Sequence, residues 1–102
     1  MSDHEPTPLD RTYLLEIALN TYQPGLPNLS EINQLDHHTA KIASELGEDP
    51  DVSARLKELR GCIAKLKYAR DKKVPKDEQA ALESARTANA ALKNIIAGKG
   101  RE

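Results

Sequence analysis

Phenylalanine and tryptophan are missing from this sequence, and three tyrosines supply all of its aromatic rings. Apolar volume must therefore come from leucine, isoleucine and many alanines, which makes a thin core. A nucleic-acid platform built on stacked rings has little to draw on, because only Tyr68 lies among cations. Cysteine occurs once, at Cys62, so no disulfide can form within the chain, and a reducing compartment is the default. No apolar run approaches membrane-spanning length. The opening "MSDHEPTPLD" is acidic and proline-containing, unlike a secretory signal. The expectation is a cytoplasmic protein that does not enter the membrane. No stretch alternates with period two, so strands are not expected.

What the sequence has is charge and helical periodicity. Charged residues make up 30% of its 102 positions, enough for long solvated helices around one domain. The net charge of −1 conceals a division. Up to Glu58 there are eleven acids against four bases, a balance of −7; from Leu59 onward eleven bases face five acids, a balance of +6. Such a split suits an acidic half docking on a basic half, within or between chains, or a basic surface for an anionic partner.

Four helices are expected, at about 8–22, 30–46, 50–73 and 76–97, with 1–7 and 98–102 as flexible ends of a single domain over 1–102. The first has Thr7 as N-cap, Pro8 in the first helical position and Asp10 in the first turn. It is apolar on two sides, with Leu9, Tyr13 and Ile17 on one and Leu15, Leu19 and Tyr22 on the other. A helix of that kind is central or covered by a partner. The second starts at Ser30 as cap and ends at Gly47, with a stripe of Ile32, Leu35, Thr39, Ile42 and Leu46. The third opens on Asp49 and Pro50 and carries the seam Val52, Leu56, Leu59, Ile63 and Leu66. Gly61 within it is expected to admit a close neighbour. The fourth is alanine-rich, closes at Gly98, and carries Asn89 inside its stripe of Leu82, Ala85, Leu92 and Ile96. Asn89 would either fix register or stand partly in water. Short loops join antiparallel neighbours, so the expected fold is all-α, a small antiparallel four-helix bundle open to completion by a second copy of the chain.

The seam of the third helix runs on into Arg70 and Lys73. The expectation is that packing stops near Leu66 and that the last turns project with Arg60, Lys67, Arg70, Lys72 and Lys73 around them. Those cations complement the negative end of the helix dipole, and they would also meet an anionic partner. The segment "KIASELGEDPDVSARLKEL", residues 41–59, resembles a helix-turn-helix DNA reader, with Ile42, Ala43, Leu46 and Gly47 leading to a second helix near Val52. The resemblance implies base contacts by Ser53 and Arg55. Glu48 stands where such motifs carry an apolar residue, and Glu48, Asp49 and Asp51 would press carboxylates toward phosphates.

No chemistry-bearing set is evident. His37 and His38 are adjacent, so they point about 100° apart on a helix and cannot readily share one metal; His4 and Asp36 could join them only through the fold. Cys62 has no neighbouring base, no carboxylate pair marks a pocket, and "AGKGRE" lacks the spacing of a phosphate loop. The expected catalytic, metal and cofactor residues are none. The function expected is a non-enzymatic protein-interaction module, an adaptor, regulator or inhibitor. Its contacts would be Tyr13, Leu15, Leu19 and Tyr22 toward another protein or a second copy, and Arg60, Lys67, Arg70, Lys72 and Lys73 toward an anionic one. The alternative is a nucleic-acid-binding regulator.

Overall fold

Thr7 accepts a hydrogen bond from the Asp10 backbone while the Asp10 carboxylate accepts from the Thr7 N–H, a reciprocal capping box that starts α1 (Pro8–Thr21). It is followed in the computed structural model, which describes residues 6–99, by α2 (Leu29–Leu46), α3 (Pro50–Lys72) and α4 (Pro75–Lys99). No strand occurs among the described residues. The four helices form an antiparallel bundle. α3 packs most extensively on α4 and α1 on α2; α4 closes the bundle against α1, and α2 touches α3 least. Asp49 caps α3 by accepting from the Asp51 and Val52 N–H groups, with Pro50 behind it, as the sequence predicts.

Most expected boundaries lie within one residue of those observed, but two expected end signals are not the ones used. α2 begins at Leu29, and its cap is Asn28 in a left-handed conformation (φ 45°), not Ser30. The Asn28 side chain is occupied in its own loop, accepting from the Gln23 N–H and donating to the carbonyls of Gln23 and Leu26. Asparagine tolerates that backbone because its short polar group can bond locally. At the other end Gly98 does not close α4, which continues to Lys99. Of the ends expected to be flexible, Thr7 caps α1 and Gly98 and Lys99 lie within α4, while 1–5 and 100–102 lie outside the described residues.

The core joins one face of each helix: Leu15, Leu19 and Tyr22; Ile32, Leu35 and Ile42; Val52, Leu56, Leu59, Ile63 and Leu66; and Leu82, Ala85, Leu92 and Ile96. This corrects the reading of α1. Leu15, Leu19 and Tyr22 are not an exposed edge; both leucines are fully buried, and Tyr13 and Ile17 are the exposed pair. Burying a leucine stabilises by about 1.5–3 kcal/mol, so surrendering two of them to a partner would dismantle the bundle. The seam of α3 also runs past Leu66 to buried Ala69, so the last turns of α3 do not project freely but stay packed on the bundle. Gly61, in turn, faces open space: a Cβ there would meet nothing within 4 Å.

The charge division becomes internal structure. Lys67 of α3 pairs with Asp36 of α2 at 2.6 Å, and Lys93 of α4 with Glu16 of α1 at 3.5 Å. Each is half-exposed and contributes at most about 1 kcal/mol, but together they set the basic hairpin on the acidic one. Asn89 is buried rather than wet, and its Nδ2 donates to the Thr12 carbonyl at 3.0 Å, fixing α4 against α1.

Candidate docking surface

Both short loops, α1–α2 and α3–α4, lie at one end of the bundle and are tied to each other. The Tyr22 hydroxyl donates to one Glu78 carboxylate oxygen, and the Gly25 N–H donates to the other at 3.2 Å. Glu78 is almost wholly buried, an unusual place for a carboxylate unless its oxygens are satisfied. Burial and the adjacent Glu78 charge push the Tyr22 phenol far above its usual range, so it stays a donor at any physiological pH. Arg70 reaches across from α3, and its Nε donates to the Pro27 carbonyl at 2.8 Å. Gly25 takes a positive φ of 91°, which lets this loop turn beside Pro75. With Asn28 closing the loop from inside, the segment 22–28 is held by side chains from three directions.

The end of α3 is equally defined. The Lys73 N–H bonds the Arg70 carbonyl and the Val74 N–H bonds the Ala69 carbonyl, at 3.1 and 3.0 Å. This is a Schellman termination, with Lys73 at the left-handed position (φ 59°) that glycine normally fills. Between the two loops runs a groove lined by Leu26, Pro27, Arg70, Lys73, Pro75 and Glu78. Six large apolar side chains are exposed on the described chain; Leu26 and Val74 belong to these loops, Leu29 opens α2 beside one of them, and Tyr68 stands little more than one turn away on α3. Lys72, Lys73 and Lys76 are exposed at the same end.

The cations expected to form one surface divide by role. Lys67 is engaged with Asp36 and Arg70 with Pro27 and, at 3.8 Å, Asp71, so both are structural ties. Lys72 lies over the Tyr68 ring, 5.5 Å from its centroid. Lys73 lines the groove, and Arg60 is exposed on α3 away from it. Tyr13, the one exposed member of the expected α1 contacts, has its ring covered by the Lys93 ammonium at 4.9 Å. Sequence reasoning missed Leu26, Leu29, Val74 and Glu78. The available signal was local: Glu78 stands four residues before Leu82, on the buried stripe of α4.

The other candidate residues make contacts within the bundle. At the α2–α3 junction Lys99 pairs with Asp49 at 2.8 Å and with Asp51 at 3.7 Å. The hydrogen bond from Lys99 holds the Asp49 carboxyl below its usual range. The start of α3, which a helix-turn-helix protein would present to DNA, is thus a set of carboxylates joined to the end of α4. His38 is buried, with Arg11 Nη1 at 3.1 Å from its Nδ1 and Gln34 Oε1 at 3.2 Å from its Nε2. Guanidinium only donates, so Nδ1 accepts and Nε2 carries the proton. Both nitrogens are occupied, and His37 meets the ring edge-on. Among the described residues no three histidine, cysteine or carboxylate side chains gather as a metal would require. Burial pushes the half-buried Cys62 thiol up, away from the reactive thiolate. Among the described residues no helix is long and apolar enough to cross a membrane.

Comparison of the chain with protein-family models, with curated proteins and with solved structures gives no match.

Proposed function

We propose that this chain is a small non-enzymatic protein-interaction module of the cytoplasm, and that it docks through the end of the bundle where the two short loops meet. The observation that carries this reading is the distribution of exposed apolar side chains. Leu26, Leu29, Val74 and Tyr68 concentrate at the one end whose backbone is most heavily cross-tied, beside exposed Lys72, Lys73 and Lys76. Clustered apolar groups on a rigid frame are what a docking surface needs, because little entropy is lost when a partner settles on them. The core closes within one chain, so one copy is the proposed working unit, and dimerisation is a secondary outcome to be read by sedimentation.

The test is capture from a native extract by the immobilised chain, with and without nuclease, alongside a Leu26→Ser/Val74→Ser double variant. Bound protein that survives nuclease and is lost with the double variant supports the reading. Capture that nuclease abolishes, and that falls steeply with salt, supports the nucleic-acid alternative instead. Capture unaffected by the double variant removes this surface from consideration.

A further inference from the structure

We infer that the cleft between α1 and α4 binds a small α-amino acid in its zwitterionic form, through residues that take no part in the docking end. The cleft has a volume of about 180 Å³ and is lined by Glu16 and Leu19 of α1 and by Arg86, Asn89 and Lys93 of α4. Two polar atoms of these residues are left unanswered. Asn89 is 3% exposed, and its Nδ2 donates to the Thr12 carbonyl at 3.0 Å. Only a donor can face a carbonyl, so the orientation of the amide is fixed. Its Oδ1 is left buried without a partner among the described residues. Arg86 donates through Nη2 to the Leu19 carbonyl at 3.1 Å, and its Nε is likewise buried without a partner there. Each such atom costs about 1–3 kcal/mol, and native structures keep few of them.

The orphan donor and the orphan acceptor do not meet each other because their side chains are drawn apart. Arg86 and Asn89 stand three residues apart on α4, about 4.5 Å along its axis. The carbonyls they bond, on Leu19 and Thr12, are seven residues apart on α1, about 10 Å. Glu16 lies between those two carbonyls on the same face of α1. It meets Lys93 through Oε1 at 3.5 Å, which leaves Oε2 for a second cation.

That arrangement selects its occupant. The carboxylate of an amino acid accepts from Arg86 Nε, and its ammonium donates to Asn89 Oδ1 and Glu16 Oε2, so every orphan is met in a charge-assisted bond. A lone anion satisfies Arg86 but sets negative charge against Asn89 Oδ1 and Glu16. A lone cation satisfies those two and is repelled by Arg86 and Lys93. The volume is below the about 300–1,000 Å³ of pockets for drug-sized ligands, so the side chain of the amino acid is small. Arg86 and Lys93 are long and half-buried, and rotamer changes of such side chains are fast enough to admit it.

The experiment is an NMR titration of the full chain that follows the Arg86 Nε–H and the Asn89 side-chain amide. The probes are L-alanine, acetate and methylammonium. Alanine is expected to shift both signals and saturate, with affinity at least about tenfold above acetate or methylammonium. Glu16→Gln and Arg86→Lys are each expected to weaken alanine by about tenfold. Glu16 is half-exposed and its ion pair contributes at most about 1 kcal/mol, so Glu16→Gln stays folded and its loss of binding is not a loss of structure. The inference is overturned if neither signal moves with alanine at millimolar concentration, or if acetate or methylammonium binds as well as alanine. It is also overturned if both variants bind alanine unchanged, or if a slowly exchanging water contacts Asn89 and alanine does not displace it.

Discussion

Tyr22 and Glu78, fifty-six residues apart in the chain, meet inside the bundle as a hydroxyl donating to a carboxylate. The bond joins the end of α1 to the first turn of α4 and holds the loop between them. Tyr22→Phe removes the donor but leaves the carboxylate buried with one partner fewer. Leaving a buried polar group short of a hydrogen bond destabilises by about 1–3 kcal/mol. Urea denaturation of Tyr22→Phe should show a loss in that range, whereas Tyr68→Phe, at an exposed ring, should change stability by less than about 0.5 kcal/mol.

Two glycines should respond oppositely to alanine. Gly61 lies exposed in the middle of α3 with free space where a Cβ would stand, so Gly61→Ala should stabilise by about 0.4–1 kcal/mol. At Gly47 the added Cβ would come within 2.3 Å of the Ala43 carbonyl oxygen, and Gly47→Ala should destabilise by about 1–3 kcal/mol. Since about 1 kcal/mol moves the melting temperature of a domain this size by about 4–8 °C, thermal melts of the pair resolve the two signs.

The burial of His38 makes stability depend on pH. Desolvation, then His37 and Arg11, lower the His38 pKa from its ordinary 6.5. The unfolded chain therefore binds a proton at a pH where the folded chain does not, so stability decreases as the pH is lowered through that window. The contribution is fully present above about 6.5 and is lost as pH drops below it toward the folded value. Denaturant midpoints measured from pH 7.5 down to about 5 should decrease, and His38→Gln should flatten that decrease. A midpoint that rises on acidification would contradict the arrangement.

Much of this fold was legible because its signals are local. Thr7, Pro8 and Asp10 announce α1, Asp49 and Pro50 announce α3, and the three-four spacing of Leu56, Leu59, Ile63 and Leu66 finds a buried face without reference to any other helix. The misreadings share a different cause. On α1, Leu15, Leu19 and Tyr22 are alike in kind to Tyr13 and Ile17, and only the placement of α2 and α4 decides which set is covered. Arg11 and Glu78 are buried because their partners stand at His38 and at Tyr22 with Gly25, far along the chain. Each occupies the stripe position four residues before a core leucine, and a charged residue there reads as the end of a seam until its partner is known. The docking surface was hidden for a related reason: Leu26, Leu29 and Val74 sit in or beside loops, where helical periodicity says nothing.

The most direct measurement is site-specific photo-crosslinking in cells, with a photoreactive residue placed at Leu26 in one version of the chain and at Ala54, exposed toward the other end of α3, in another. The account predicts a discrete protein adduct from position 26, diminished by Lys73→Gly, and none from position 54. Adducts from position 54 with none from position 26, or adducts to nucleic acid from position 26, would contradict it.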